Sequence, residues 1–273
     1  MSGVYIIAEA GSCHEGDLGR AMRLIAVAER AGADAVKFQY WSSPEAMRAR
    51  RHVTQKGAYE RGSVKVDWLP TLQAYARQLS SPLDFLCTAY LPQDIATVAP
   101  YVDAFKVSSF EATPAFIALH TQYGKPVYVS TGLGKAPPRH LGYSDYVLQQ
   151  GRPQSNFRTM ALHCVSAYPC PPQDANLRVL LQHGGYAGYS DHTRNVLTGA
   201  VAVGAGARVL EVHFRLDDTP PTCPDYCVSL TPGELQQYIT NARLAWTLLG
   251  TGVKRVMPSE EGNVVHAVGE SPW

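Results

Sequence analysis

The chain has 273 residues, 45% hydrophobic and 17% charged, with a formal net charge of +1. That length supports one large buried core or at most two, and the balanced charge gives no electrostatic basis for binding nucleic acid or an anionic membrane surface. No apolar run approaches the roughly 18 residues of a spanning helix. A strand-like VYIIAEAG begins at Val4, which leaves no room for a signal peptide, and several of the six cysteines sit in apolar runs such as DFLCTAY and ALHCVSAY; a reduced, cytoplasmic protein is expected.

Taken in chain order, short β-branched or apolar runs recur at YIIAEAG, AVKFQYW, DFLCTAY, AFKVSSF, PVYVSTG, MALHCVS, YAGYSDH and VLEVHF. Segments with helical apolar spacing separate most of them. After the first run, DLGRAMRLIAVAERAGA places Leu18, Ala21, Met22, Ile25 and Ala28 on one stripe, with Gly32 as a stop. The interval from Trp41 to Asp84 is long, so a loop must precede the second helix; its basic stretch MRARRHVTQK (Met47 to Lys56) reads as a solvated loop face. TPAFIALHTQYGK opens on a Thr-Pro cap and closes at Gly124, and LTPGELQQYITNARLAWTLLG repeats that start and closes at Gly250. Strands alternating with helices predict parallel pairing. Eight such units in this length predict a single-domain (β/α)8 TIM barrel over residues 1–273, with strands from about 4 to 214, the last helix at about 231–250 and an exposed tail over about 256–273.

Side chains alternate along a strand, so polar residues at every second position near the C-terminal ends converge on the barrel mouth. Glu9 shares a face with Ile7 and Gly11; Lys37 shares one with Gln39; Lys106 shares one with Ser108; Glu211 shares one with His213. Thr88, Glu111, Ser130, Thr131, Gly132, Ser166, Asp191 and His192 lie at or just beyond strand ends. Burying so many charges without a ligand costs several kcal/mol each, so the set is expected to meet an anion and a metal. Two lysines can hold a phosphate or carboxylate, and the STG turn brings hydroxyls and backbone N–H groups within reach of phosphate oxygens. Two neutral imidazoles, His192 and His213, can bind Mn²⁺, Zn²⁺ or Co²⁺ with open positions for water or substrate, while Asp191 and Glu211 are candidates to orient them or to add ligands. Such an ion would polarise a carbonyl, and Glu9 and Glu111 are the acid/base candidates. CPDYC (Cys223 to Cys227) has spacing a metal could use, but no second Cys or His pair accompanies it.

In order along the chain, IIAEAGSCHEGDLGRA, AGADAVKFQ, FKVSSFEAT, GKPVYVSTG, LHCVSAYPCPP, GYSDHT, LEVHF and SEEGN resemble the N-acetylneuraminate (sialic acid) synthase family, which includes pseudaminic and legionaminic acid synthases. The resemblance runs from about Val4 to Asn263. It implies a (β/α)8 enzyme that condenses phosphoenolpyruvate with a sugar-type aldehyde, releasing phosphate and forming a 2-keto-3-deoxy acid. It further implies that His192 and His213 hold a divalent metal, Mn²⁺ first with Mg²⁺, Co²⁺ or Zn²⁺ as alternatives. Lys37, Thr88, Lys106, Ser109, Ser130, Ser166 and Ser190 would line the phosphoenolpyruvate site, with Ser109 in place of the Ser108 that strand parity prefers. Glu9 and Glu111 would manage water and protons, and Gln39, Tyr168 and Asp225 would touch the acceptor. Two departures stand out. Cys13-His14 replaces the family's usual Asn-His, leaving Cys13 either a packing residue or a sign of altered acceptor contacts. The chain also stops near where the family's linker to a C-terminal antifreeze-like domain would begin, so a homodimer would have to use barrel surfaces, and either the acceptor needs no such lid, or the closing part comes from a separate chain, or activity is weak. The competing readings are a non-hexosamine acceptor such as a nucleoside aldehyde, a metal-dependent aldolase or isomerase that needs no phosphoenolpyruvate, and a non-catalytic ligand-binding relative.

Overall fold

A computed structural model of the chain describes residues 3–51, 57–135, 148–149, 152–153, 159–182 and 185–266. Eight parallel strands close into a barrel: β1 (Tyr5–Glu9), β2 (Ala35–Tyr40), β3 (Asp84–Ala89), β4 (Ala104–Val107), β5 (Val127–Ser130), β6 (Thr159–Cys164), β7 (Tyr186–Asp191) and β8 (Val209–His213). Each pairs with the next in sequence, and β8 returns to β1 with Tyr5 opposite Val209 and Glu9 opposite His213. Helices on the outside include Leu18–Ala31, Leu69–Gln78, Pro114–Thr121, Thr198–Gly204 and Pro232–Leu249. Their starts follow the sequence signals: Asp17 accepts from the Arg20 N–H, Thr113 from the Phe116 N–H, and Thr231 forms a reciprocal capping box with Glu234. Gly32, at φ +87°, closes the first helix in the left-handed conformation that a side chain would resist. Among the described residues no helix is long and apolar enough to cross a membrane.

The period-two alternation divides the core into two shells. Ile6, Val36, Phe38, Phe85, Phe105, Val129 and Leu210 point outward against Leu24, Ile25, Leu72, Leu235 and Ile239 of the helices. Tyr5, Ile7, Ala35, Leu86, Ala104, Tyr128, Leu162 and Val209 point inward and plug the lower barrel. Two residues further along the same faces stand Glu9, Lys37, Thr88, Lys106, Ser130 and Glu211, so the plug is the base on which the polar mouth rests. β7 departs from the simple rhythm. Ala161 pairs with Tyr186 but Leu162 pairs with Gly188, so Ala187 is an extra residue in a bulge. That extra residue is what brings Ser190 and then His192 to the inner face. Gly188 beside it passes so close to β8 that an added Cβ would run into the Val209 carbonyl.

His14 ties the turn after β1 to the long loop after β2. Its Nδ1 accepts from the Gly16 N–H and its Nε2 donates to the Gly62 carbonyl, between the rings of Phe38 and Trp68. Burial pushes its pKa down from 6.5 to about 4. Unfolded His14 takes up a proton near its ordinary value while folded His14 does not, so acidification through the window between 6.5 and 4 favours the unfolded chain. The contribution is up to about 3 kcal/mol at the acid end. Urea unfolding at pH 7 and pH 4.5 should therefore show wild type losing more stability on acidification than His14→Gln; equal losses would mean that His14 titrates normally.

Candidate active site

At the C-terminal ends of the strands lies a cavity of about 380 Å³. It gathers most of the residues expected there: Glu9, Lys37, Gln39, Thr88, Lys106, Ser109, Ser130, Tyr168, Ser190, His192, Glu211, His213 and Asp225 all line it. Glu111 is buried directly behind the rim and reaches the cavity through Arg51, which does line it. Ser166 lines a neighbouring cavity instead and connects by a hydroxyl–hydroxyl hydrogen bond of 2.7 Å to Ser109.

The floor is a charge quartet. Glu9, Lys37, Lys106 and Glu211 are each at most 3% exposed. Lys37 Nζ lies 2.9 Å from Glu9 Oε2 and 3.9 Å from Glu211 Oε1, while Lys106 Nζ lies 3.6 Å from Glu211 Oε2. Neutral groups complete the set: Lys37 donates to Thr88 Oγ1 (3.1 Å), Lys106 to Ser130 Oγ (2.7 Å), and Gln39 Nε2 to Glu9 Oε1 (2.7 Å). Burial opposes the charge on Lys37, but the carboxylates of Glu9 and Glu211 together outweigh it and raise its pKa. Burial prevails at Lys106, aided by the charge of Lys37, and lowers its pKa. At Glu211 burial acts to raise the pKa, and the two ammonium groups pull it below the ordinary value. Two ammonium groups with hydroxyls beside them, in the lining of a cavity, have the chemistry to receive an anion.

Next to the floor stand two imidazoles whose ring centres are 5.6 Å apart. His192 Nδ1 donates to the Val165 carbonyl at 2.7 Å, which leaves the Nε2 lone pair available. Burial, then the neighbouring His213, pushes the His192 pKa down to about 3, so the ring is neutral. His213 Nδ1 is buried without a hydrogen-bond partner. Two imidazoles, one of them neutral and the other with an unsatisfied nitrogen, fit a divalent ion that takes its remaining ligands from water or substrate. No group of three His, Cys, Asp or Glu side chains able to hold a metal occurs among the described residues. Asp191, an expected orienter or ligand, does not line the cavity; its Oδ1 accepts from the N–H and hydroxyl of Thr193, and burial pushes its pKa up to about 6. The bulge accounts for this, because once Ser190 and His192 face inward Asp191 must face the helices.

One wall is built by loops. Asp225 Oδ2 accepts from both the N–H and the hydroxyl of Ser12, each at 2.7 Å. Gly11, at φ +51°, permits this approach, since a Cβ there would strike the same oxygen. Parity and resemblance disagreed over Ser108 and Ser109, and both line the cavity with different partners: Ser109 is buried against Ser166, while Ser108 donates to Glu111 Oε2. The remaining lining was not legible in advance: Ser12, Trp41, Met47, Arg51, Tyr59, Tyr90, Phe110 and Pro224. Several of these come from the long loop after β2, where the helix Pro44–Arg51 turns Met47 and Arg51 to the cavity. The solvated-face reading of the basic run therefore fails at these two positions; residues 52–56 of that run lie outside the described residues. The two cysteines of CPDYC part company. Cys223 Sγ lies 3.6 Å from Cys13 Sγ in the core, and Cys227 is exposed. Cys13 does not line the cavity, and its hydrogen bond with Cys223, together with burial, pushes its thiol pKa up, which marks a packing residue.

A closed parallel barrel with paired buried lysines and two imidazoles at its C-terminal mouth defines a (β/α)8-barrel enzyme. The NeuB family model matches residues 24–254, and the chain belongs to that family. It is 32% identical to the N,N'-diacetyllegionaminic acid synthase of Legionella pneumophila, over 94% of this chain and 76% of that protein. It is 31% identical to the N-acetylneuraminate-9-phosphate synthase of Mus musculus, over 94% and 74%. The structure of N-acetylneuraminic acid (sialic acid) synthetase from Leptospira borgpetersenii, solved with citrate, matches with a TM-score of 0.81 at 26% identity, over 96% of this chain and 90% of that one.

Replacing Lys37 by Met removes the ammonium from between two buried carboxylates, and should destabilise the ligand-free protein by about 3 kcal/mol or more. The double variant Lys37→Met, Glu9→Gln should recover part of that loss. Chemical denaturation measures both, and an unchanged midpoint for Lys37→Met would show that the carboxylates are compensated by other groups.

Proposed function

We propose that this chain condenses phosphoenolpyruvate with a sugar-type aldehyde, releasing phosphate and forming a 2-keto-3-deoxy acid. The observation that carries the reading is the lysine floor of Lys37 and Lys106 in the same cavity as the His192–His213 pair. Family membership and the synthase names of the relatives support the same chemistry. In this reading Lys37 and Lys106, with Thr88, Ser109, Ser130 and Ser190, bind the phosphate and carboxylate of phosphoenolpyruvate, and Ser166 supports Ser109. Gln39, Tyr168 and Asp225 position the acceptor. His192 and His213 hold a divalent cation, Mn²⁺ in the first instance, whose chemistry when bound is to polarise the aldehyde carbonyl. C3 of phosphoenolpyruvate attacks the aldehyde carbon and the new alkoxide takes a proton. Water adds to C2, giving up a proton to a carboxylate, and the tetrahedral centre collapses with cleavage of the C2–O bond to expel phosphate. In this reading Glu9, which lines the cavity, and Glu111, buried behind its rim, move those protons.

A second reading keeps this chemistry and changes the acceptor. The aromatic side chains of Trp41, Tyr59, Tyr90 and Phe110 around the rim favour an aldehyde with a planar or apolar substituent, such as a nucleoside aldehyde, over one that is hydroxylated throughout. Six cysteines without a disulfide fit a cytoplasmic location.

Phosphate release from phosphoenolpyruvate, with Mn²⁺ or after EDTA, across a panel of N-acetylmannosamine, simple pentoses and hexoses and nucleoside aldehydes tests both readings. Release should require the metal and one acceptor class. His192→Ala and His213→Ala should each lower turnover about 100-fold or more and abolish Mn²⁺ binding seen by paramagnetic resonance. Full activity in both variants would remove the metal role. Acceptor consumption without phosphate release would mean an aldolase or isomerase, and tight phosphoenolpyruvate binding with no turnover on any acceptor would mean a binding protein.

A further inference from the structure

Glu111 is a buried carboxylate gripped from both sides. Ser108, in the same turn after β4, donates to its Oε2, and Arg51 Nη2 donates to its Oε1 at 2.6 Å. Arg50 Nη2 stands 3.9 Å from that same oxygen. Arg51 comes from a distant part of the chain, the last turn of the helix Pro44–Arg51 in the loop after β2. Its guanidinium is itself held, 4.3 Å over the ring of Phe110 and 6.0 Å from that of Tyr90. A planar fork stacked on one ring and bonded to one carboxylate oxygen has little freedom left, so it transmits the position of the loop helix to the carboxylate. Burying a carboxylate with a single hydroxyl partner would be unfavourable, and the arginine supplies the compensating charge.

We propose that Arg51 is a positioning residue for the condensation: it fixes the Glu111 carboxylate just behind the cavity rim, and through it the helix Pro44–Arg51 controls whether Glu111 is in place to move a proton. This rests on the reading of Glu111 as a proton-handling group. Arg51 acts on the chemical step through Glu111 and not by holding phosphoenolpyruvate, whose site lies on the lysine floor. Lysine at position 51 would restore the charge but not the stacked fork, and should be a partial substitute.

The test is a double-mutant cycle on phosphate release, with phosphoenolpyruvate, N-acetylmannosamine and Mn²⁺, using Arg51→Ala, Glu111→Gln and the pair. Arg51→Ala should lower kcat about 30- to 100-fold with the KM for phosphoenolpyruvate changed less than about twofold. In the Glu111→Gln background it should add almost nothing. Arg51→Lys should fall between, and guanidinium in solution should restore activity to Arg51→Ala but not to Glu111→Gln. A rise in the KM for phosphoenolpyruvate at constant kcat would make Arg51 a substrate ligand and overturn the proposal, as would an undiminished effect in the Glu111→Gln background. If Glu111→Gln alone were fully active, the proton-handling reading would fail first; if it were impaired and Arg51→Ala were not, only the positioning role would fail. A crystal structure of Arg51→Ala provides a readout independent of turnover: Glu111 should leave its contact with Ser108, and a carboxylate still in place would overturn the proposal.

Discussion

Two glutamates and two lysines share the centre of the barrel, and none of the four could be buried there alone. Isolated, each charge would cost several kcal/mol to remove from water; together they neutralise one another through contacts of 2.9 to 3.9 Å. They come from four strands, β1, β2, β4 and β8, so they brace the mouth across its width as well as between neighbours. The arrangement also constrains what can enter. The quartet is balanced, and an anion arriving on the lysines would leave the floor overly negative unless opposite charge arrived beside it. His192 and His213 line the same cavity, and burial keeps His192 unprotonated, so its ring offers a lone pair and not a fixed cation.

How much of this could be read in advance depended on the regularity of the backbone. Where a strand keeps its alternation, as in β1, β2, β4 and β8, a period of two was enough to place Glu9, Lys37, Gln39, Lys106, Glu211 and His213 on the inner face, and the structure has them there. Where alternation breaks, the rule lost its hold. The bulge at Ala187 is a main-chain event that no side chain announces, and it decides that His192 enters the cavity while Asp191 does not. The strand-end choice between Ser108 and Ser109 has no parity answer because β4 stops at Val107 and the turn presents both.

Loops set a different limit. Arg51 and Met47 sit in a run that composition alone marks as solvated, and its neighbours bear that out: Arg48 pairs with Glu60 and Arg50 is substantially exposed. Only the placement of the helix Pro44–Arg51 against Phe110 and Tyr90 turns one guanidinium inward, and that placement depends on contacts far apart in sequence. Asp225 and Tyr168 had no periodic signal either; resemblance to a family supplied them, and the hydrogen bonds from Ser12 supply the physical reason that Asp225 keeps its position.

Floor and rim therefore answer to different rules. The floor hangs on paired strands over a packed plug of Ile7, Leu86, Tyr128 and Leu162, where a shift of one residue would turn every charge to the wrong side, so its geometry resists change. The rim is carried by segments whose course is set by a few contacts: Ser12 to Asp225, His14 to Gly62, Arg51 to Glu111. Such segments can alter in length and composition without disturbing the strands beneath. Chemistry that must be preserved belongs on the first, and discrimination among acceptors belongs on the second. Arg51 is the point where the two meet, a rim residue whose partner is one of the two acids proposed to move protons. On the proposed role of Glu111, a change in the loop after β2 would alter both which acceptor fits and whether Glu111 stands ready, coupling selection of the acceptor to competence for the reaction through one ion pair.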